Sequence, residues 1–151
     1  MLHVALWEPE IPPNTGNIAR LCAATGTTLH LIGRLGFRLD DRSLRRAGLD
    51  YWPDVTYRLH TNLDAFEQAM AAHQLVCLSA HVTRPYTSIA FQPSDCLLFG
   101  SESRGLPPGV LERLADRSVC IPMPAGKVRS LNLATAVGIV LYEALRQLDA
   151  W

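Results

Sequence analysis

The feature of this sequence that most constrains its fold is the alternation of short apolar runs with amphipathic helical patterns. Six runs of four or five residues, rich in aliphatic and β-branched side chains, have the length and composition of strands. They span residues 2–6, 28–32, 55–59, 75–78, 96–99 and 118–121. Strands that alternate with helices are typical of α/β proteins, in which helices flank a mainly parallel sheet. The sequence therefore predicts an α/β fold.

Helical patterns occupy the segments between these strands. Helices are predicted over residues 14–24, 40–47, 62–72, from 107 onward, and over 130–148. Asn14 and Ser130 are suited to cap the first and the last helix, and Gly26 follows the first where a left-handed residue is favoured. The 62–72 helix has an apolar face made of Leu63, Phe66, Met70 and Ala69. The last helix has a wide apolar stripe that needs a partner surface, made of Leu133, Val137, Leu141, Ala144, Leu145 and Leu148.

No feature of the sequence divides the chain. Its 151 residues contain no Gly/Ser linker, charge block or internal repeat, so we expect a single domain over residues 1–151. The first residues lack the basic segment of a signal peptide, and no run approaches the ~18 apolar residues of a membrane span. We therefore expect a cytoplasmic protein with no membrane partner.

The charges balance, with 14 Lys and Arg against 14 Asp and Glu. A chain without net charge has no strong field that draws it onto nucleic acid, so any RNA contact must come from a local basic patch. Lys127 is the only lysine. The excess of arginine suits forked contacts with phosphate, although a bias in genomic composition accounts for it equally well.

Cysteines and histidines do not form recognisable metal motifs. The four cysteines, at 22, 77, 96 and 120, lie far apart without a C-x-x-C pair, so we expect reduced core residues and no metal site. The five histidines are scattered singly and are interpreted as surface or strand-end residues. Dinucleotide, P-loop and nucleophile-elbow motifs are absent, which excludes the common nucleotide-binding and hydrolase classes. A flavodoxin-like binder is a poor fit, because Pro12-Pro13-Asn14 does not resemble a phosphate loop.

Three segments at strand ends have compositions that folding alone does not require, and ligands of open α/β sheets bind at such ends. The first, residues 12–20, presents a helix N-terminus and Arg20, which suit a phosphate or a ribose; an ordinary cap with a surface arginine is the alternative. The second, residues 98–107, brackets Glu102 and Arg104 with glycines, and Gly100 permits close approach to a ligand. A solvated Glu102–Arg104 turn pair is the alternative there.

The third segment, residues 121–134, is a Pro/Gly loop that leads into the last helix. Ser130 stands at its end, with Arg129 before it and Asn132 beside it. Asn132 would be costly if buried without a hydrogen-bond partner. A Ser130 that only caps the helix is the alternative interpretation.

These three segments, in this order, resemble the three motifs of the SPOUT, or TrmH-like, RNA ribose 2′-O-methyltransferases. Asn14-x5-Arg20 is similar to the first motif, Phe99-Gly-Ser-Glu-Ser-Arg-Gly-Leu to the second, and Ile121-Pro-Met with Arg129-Ser-Leu-Asn-Leu-Ala to the third. The closest resemblance is to the minimal members that act on the wobble ribose, a cytidine or modified uridine at position 34, of leucine tRNAs. The segments beginning at Glu8 and at Leu44 carry that closer match.

The resemblance implies a C-terminal deep trefoil knot, S-adenosylmethionine as cofactor, tRNA as substrate and a homodimer. It places the catalytic role on Arg20, with Asn14, Glu102, Ser130 and Asn132 organising the site. It places the cofactor against Leu78, Gly100, Ile121, Pro122, Met123, Ser130 and Leu131. For RNA contacts we single out Arg42, Arg45, Arg46, Arg104 and Arg129. An arginine is a poor base, so we expect Arg20 to stabilise the developing alkoxide or grip a phosphate.

Two alternatives remain at this point. The motifs do not distinguish the wobble ribose from another tRNA or ribosomal RNA ribose. A non-catalytic RNA-binding module on the same fold is the other alternative, against which the complete set of motif residues argues.

Overall fold

The computed structural model describes residues 1–40, 42, 46 and 49–151. Its six strands are β1 His3–Trp7, β2 Thr28–Ile32, β3 Tyr57–His60, β4 Leu75–Leu78, β5 Cys96–Phe99 and β6 Ser118–Val119. They form one sheet in the order β3-β2-β1-β5-β4-β6, and all neighbouring strands are parallel. The predicted α/β class, with a parallel sheet flanked by helices, is confirmed.

Three predicted strands match the observed bounds, and the other three differ at their ends. β1 begins and ends one residue later than predicted. β3 begins at Tyr57 instead of residue 55, because the N–H of Val55 bonds to the carbonyl of Trp52 in a turn. β6 ends at Val119, because Cys120 pairs with the segment around Pro85 instead of continuing the ladder.

In the part of the chain that the structure describes, four helices have bounds that can be stated, together with short 3₁₀ segments at Leu49–Asp54, Tyr86–Ser88 and Ala115–Arg117. The helices are α1 Pro12–Thr25, α2 Leu63–Ala69, α3 Pro108–Arg113 and α4 Leu133–Leu148. Of the predicted helix over 40–47, Arg42 and Arg46 are helical and exposed. The other residues from 41 to 47 lie outside the described part of the chain.

Two predicted caps are wrong. Asn14 does not cap α1, because the helix begins earlier, with Ile11 as its N-cap and prolines in the first turn. Ser130 does not cap α4, which begins at Leu133 with Asn132 as its N-cap. Gly26 ends α1 in the left-handed conformation (φ 67°), as predicted. The amide of Asn14 and the hydroxyl of Ser130 are therefore available for other roles.

The core lies on both faces of the sheet. On one face, α1 and α4 cover a cluster that includes Val4, Leu31 and Leu97. On the other face, α2 and α3 cover a smaller cluster around Phe66 and Leu98. The apolar stripe of α4 packs into the first cluster, so its partner surface is the sheet of its own chain. On α2 the predicted apolar face is wrong at residue 69, which is exposed.

The four cysteines are free thiols, three of them buried. Burial raises the pKa of Cys22 to about 12 and that of Cys77 to about 11, so both stay protonated and unreactive at neutral pH. Within the ranges that the structure describes, no set of three His, Cys, Asp or Glu side chains is arranged to hold a metal ion. None of the helices in those ranges has the length and apolar character needed to cross a bilayer.

Candidate functional site

A cleft of about 690 Å³ opens at the carboxyl ends of the strands. The segments that follow β1, β4, β5 and β6 form its walls, and the first residues of α4 close one side. Ligands of parallel α/β sheets bind at this edge, and pockets for small molecules measure about 300–1,000 Å³. The position and size of the cleft therefore suit a cofactor together with part of a second substrate.

Glu102 joins two walls of this cleft. Its carboxylate accepts hydrogen bonds from the backbone N–H groups of Glu10 and Ile11, each at 2.8 Å. It also accepts from Nδ2 of Asn14 at 3.2 Å. These donors lie at the start of α1, where N–H groups have no partner inside the helix and favour a negative charge. Glu102 therefore holds the loop after β5 against the loop after β1, and it does not pair with Arg104 as a solvated turn.

Asn14 and Asn132 extend this contact to the third wall. Nδ2 of Asn132 donates to Oδ1 of Asn14 at 2.9 Å, and Oδ1 of Asn132 accepts from the N–H of Thr135 at 3.2 Å. The cap at Thr135 thus orients the Asn132 amide, which orients the Asn14 amide toward Glu102. Three predicted site residues separated by 88 and 118 positions along the chain therefore form one hydrogen-bonded network.

The turn that carries Glu102 requires glycine at its base. A Cβ on Gly100 would lie 2.0 Å from the carbonyl carbon of Gly105 and 2.2 Å from the nitrogen of Leu106. Ser101 and Gly105 pair across the turn, with the Gly105 N–H donating to the Ser101 carbonyl at 2.9 Å. The chain therefore folds back on itself immediately after β5, and this tight return directs residues 102–104 toward the loop after β1.

At the rim of the cleft, charged side chains make further contacts between the loop after β5 and the loop after β1. Ser103 donates to the Glu10 carboxylate through its hydroxyl at 2.7 Å and its N–H at 2.8 Å, and these hydrogen bonds lower the pKa of Glu10. Arg104 pairs with Glu8 at 3.1 Å, and its guanidinium carbon lies 4.8 Å from the centre of the Trp7 ring. Residues 102–104 are thus each attached to the loop after β1.

Most residues predicted to contact a cofactor line the cleft. They are Leu78, Gly100, Ile121, Met123, Ser130 and Leu131, whereas Pro122 is not among the lining residues. Pro122 is exposed, between two neighbours that face the cleft. The segment after β4 adds three wall residues that the prediction did not name, Ser79, Ala80 and His81. Their only signal was their position directly after a buried strand.

The predicted arginines are divided between the cleft and the outer surface. Arg104 and Arg129 line the cleft. Arg20 is exposed on α1 and is not among the lining residues. It follows Asn14 by six residues, which turns its side chain roughly 240° around the helix axis from the side chain that enters the network. Within one chain, Arg20 therefore does not line the cleft with the other site residues, and its role stays a prediction. Arg45 lies outside the described residues.

These observations place three sequence motifs at one cleft of a parallel sheet, and a comparison with known families decides which family they define. The model of the SpoU rRNA methylase family matches residues 1–142. The chain belongs to the SpoU methylase family.

Relatives of this SpoU methylase are similar along almost the whole chain. The tRNA (cytidine(34)-2'-O)-methyltransferase of Escherichia coli strain K12 is 48% identical over 149 residues, which cover 98% of this chain and 94% of the relative. A solved structure described as giving insights into 2-OH methylation of C/U34 on tRNA superposes with a TM-score of 0.94 at 51% identity, covering 100% of this chain and 98% of the other.

A second solved structure bears on the cofactor. The AdoMet-bound rRNA methyltransferase of Sinorhizobium meliloti superposes with a TM-score of 0.87 at 32% identity. The match covers 97% of this chain and 56% of that longer chain. Members of this family thus bind S-adenosylmethionine, and the fold of the present chain corresponds to the part that the two proteins share.

Away from the cleft, this SpoU methylase has a row of histidines that sequence reasoning missed. Nδ1 of His3 lies 2.9 Å from Nε2 of His30, and Nδ1 of His30 lies 2.8 Å from Nε2 of His60. His73 packs edge-on against His3, and Phe66 packs against His30 and His60. Four of the five histidines are therefore clustered. His3 and His60 lie at strand ends as predicted, whereas the prediction is wrong for His30, which is fully buried within β2.

The histidine row is held neutral by its surroundings. Burial lowers the pKa of His30 to about 3 and that of His3 to about 4, and it lowers the pKa of His60 as well. Neighbouring positive charges act in the same direction, namely the other histidines and Arg58. The row crosses the sheet diagonally, since His30 is in register with Ala5 of β1. It contributes no group to the cleft lining.

Proposed function

We propose that this SpoU methylase transfers a methyl group from S-adenosylmethionine to the ribose 2′-hydroxyl of the wobble nucleotide of leucine tRNAs, a cytidine or modified uridine at position 34. The observation that carries the proposal is the network of Glu102, Asn14 and Asn132, which joins three loops around one cleft. The activity named for the Escherichia coli relative supports the choice of the wobble ribose among RNA riboses.

The cleft fits the proposed cofactor. Leu78, Ile121, Met123 and Leu131 supply apolar surface for an adenine ring, and the turn at Gly100 brings main chain to the cleft without a side chain in the way. Polar backbone groups and the Ser130 hydroxyl are placed to hold ribose and methionine atoms. When bound, S-adenosylmethionine supplies an electrophilic methyl group on a sulfonium.

The residues of the chain then position the acceptor and accommodate its charge. Methyl transfer requires the 2′-oxygen in line with the methyl group, and holding two reactants in that geometry supplies much of the rate. The Glu102 network orients the Asn14 and Asn132 amides, which are suited to bind ribose hydroxyls. A guanidinium stays protonated at neutral pH, so Arg20 would stabilise the oxygen as its proton leaves for solvent or hold the adjacent phosphate.

A second copy of the chain would complete the site. Because Arg20 is not among the residues that line the cleft of its own chain, its proposed role requires that a partner subunit present it. Apolar side chains around the cleft and on α4 are exposed and would be covered by such a partner, namely Ile11, Val128, Leu131 and Tyr142. We therefore infer a homodimer in which each cleft combines loops of one subunit with Arg20 of the other.

The remaining proposals follow from family membership. The C-terminal part of the chain would form a deep trefoil knot, and residues 1–151 would fold as one domain in the cytoplasm. Arg42, Arg45, Arg46 and Arg129 would contact the phosphates of the anticodon arm. Both subunits together would supply the tRNA surface.

The target is tested by mapping the methyl group. Leucine tRNA from a strain that lacks the gene is incubated with the purified protein and labelled S-adenosylmethionine, and the modified nucleotide is identified by mass spectrometry. The proposal expects methylation of the position 34 ribose alone. Methylation at another ribose, or none despite cofactor binding in calorimetry, would contradict it.

The shared site is tested by mixing two inactive variants. Arg20→Ala and Asn132→Ala are unfolded together, refolded as a mixture and assayed. If Arg20 serves the partner cleft, about one quarter of wild-type activity should return, because half of the dimers are mixed and each has one complete cleft. No recovery, with light scattering showing dimers, would place Arg20 in the cleft of its own chain.

A further inference from the structure

Arg104 contacts both an aromatic ring and a carboxylate at the cleft. Its guanidinium carbon lies 4.8 Å from the centre of the Trp7 ring, while Nη2 pairs with the Glu8 carboxylate at 3.1 Å. The side chain nevertheless remains 51% exposed and lines the cleft. Since Trp7 covers one face of the guanidinium, the exposed surface includes the opposite face. The cleft therefore has a flat cationic surface backed by an aromatic ring.

The charges around Arg104 do not favour a phosphate. Glu8 pairs with it directly, and Glu10 is close enough that the Arg104 charge contributes to lowering the Glu10 pKa. Glu102 adds a third carboxylate in the same loop. A phosphate placed on Arg104 would meet net negative charge from these neighbours, and like charges at such distances repel. A neutral aromatic ring would meet no such repulsion.

A guanidinium plane is a recognised stacking surface for nucleobases. Resting on the proposed function, which makes RNA the substrate, we propose that the free face of Arg104 stacks on a base of the bound tRNA at or beside the target nucleotide. Trp7 and Glu8 are then positioning residues, which hold the guanidinium parallel to the incoming base. This assignment specifies the RNA contact predicted for Arg104 as a contact with a base.

The backbone conformation and the confined carboxylate of Glu8 suit this positioning role. It has a positive φ of 47°, which is unusual for a residue other than glycine and indicates that the surroundings hold its backbone in place. One carboxylate oxygen accepts from Arg104, and the other accepts from the N–H of Arg34 at 3.2 Å. A Cβ on Gly33 would lie 2.7 Å from that second oxygen, so the carboxylate is closely confined. Glu8 therefore has little freedom to release Arg104.

The test compares variants that keep the charge with variants that remove it. Arg104→Lys retains the positive charge but loses the plane, and Arg104→Ala loses both. For a stacked base, both should raise the KM for tRNA by on the order of tenfold or more, with kcat at saturating tRNA nearly unchanged. The salt dependence of tRNA binding should not change, because no phosphate contact is lost. Trp7→Leu should have the same effect in a smaller measure.

The chain offers a matched control. Arg113 pairs with Glu67 at 2.9 Å, with side-chain exposures of 56% and 22% that resemble the 51% and 23% of Arg104 and Glu8. Arg113 does not line the cleft, so Arg113→Lys and Arg113→Ala should leave the KM for tRNA unchanged. A rise in KM for these variants as well would show a general effect of lost ion pairs and would overturn the proposal.

Three other outcomes overturn it. If Arg104→Lys behaves as wild type while Arg104→Ala loses about one unit of salt slope, Arg104 binds a phosphate. If either variant weakens the affinity for S-adenosylmethionine as much as that for tRNA, the stacked ring is the adenine of the cofactor. If both variants equal wild type, no ring stacks there. An inactive wild-type protein would refute the proposed function instead, so the two failures are distinguishable.

Discussion

Mild acid is expected to destabilise this protein through the histidine row. His30 is fully buried, and its pKa of about 3 compares with 6.5 for an exposed histidine. Below pH 6.5 the unfolded chain binds a proton at this residue and the folded chain does not, so the free energy of unfolding falls as the pH falls, down to about pH 3. At pH 5.5 the loss from His30 alone is on the order of 1 kcal/mol, because this pH lies one unit below the pKa of an exposed histidine.

The hydrogen bonds of the row limit how many protons it can hold. With all rings neutral, each histidine donates to the next one in a single direction, and both short contacts are satisfied. One proton added to His3 or to His60 leaves both contacts satisfied, because the direction in which the rings donate is either kept or reversed. A second proton would leave two N–H groups pointing at one another, since His30 has a single acceptor. His73, Arg58 and the amino terminus add positive charge around His3 and disfavour protonation further.

The assay is urea unfolding at pH 7.5, 6.5 and 5.5. Wild type should lose on the order of 1 kcal/mol across this range, in which carboxylates with pKa values near 4.5 contribute little. His30→Asn keeps a donor and an acceptor but takes up no proton, so it should lose correspondingly less. His81→Ala, which removes an exposed histidine outside the row, should behave as wild type. Equal losses for wild type and His30→Asn, or an NMR titration of His30 near pH 6.5, would refute the reasoning.

Three further predictions concern the cleft. Gly100→Ala should lower the melting temperature and weaken S-adenosylmethionine binding in calorimetry, because its Cβ would lie 2.0 Å from a backbone atom. Gly109→Ala has open space around its Cβ and should be neutral or stabilising by up to about 1 kcal/mol. Equal effects of the two substitutions on the melting temperature would contradict this expectation. Asn132→Ala and Asn62→Ala each remove an N-cap, at a cost of about 1 kcal/mol in urea unfolding, but only the first should abolish methylation. Glu102→Gln should reduce kcat/KM at least about tenfold, because one amide oxygen replaces two carboxylate acceptors; unchanged single-turnover rates would exclude a positioning role.

Buried strands are the part of the fold that the sequence predicts best. β4 and β5 are covered on both faces, so they read as uninterrupted apolar runs with clear ends. β3 is an edge strand whose Tyr57 and Leu59 are exposed, so burial does not mark its ends. The histidine row was not predictable, because the contacts of His3, His30 and His60 depend on the register of three strands. The spacing of these histidines along the sequence does not indicate that register.

Prediction of local structure at the site failed at two positions. Asn14 and Ser130 are residue types that commonly cap helices. Nevertheless, α1 begins at Pro12, and Asn132 is the N-cap of α4. The amide of Asn14 is thereby free to link the loops. Cap rules weigh only neighbours within one turn, whereas the partners of Asn14 lie 88 and 118 residues away. For Arg20, the sequence motif predicted proximity to Asn14, but helical geometry turns the two side chains apart.

The cleft depends on strand register because its loops are attached to each other rather than to the core. Pairing of Leu6 with Phe99 sets the distance from β1 to Glu10 and from β5 to Glu102, so the carboxylate meets two N–H groups at 2.8 Å. A slip of one residue would move Glu102 by about 3.3 Å and reverse the faces of β5. The buried faces of β1 and β5 forbid that slip, since Leu97 and Leu98 pack into different clusters on opposite faces. Core packing thus specifies the geometry of the cleft.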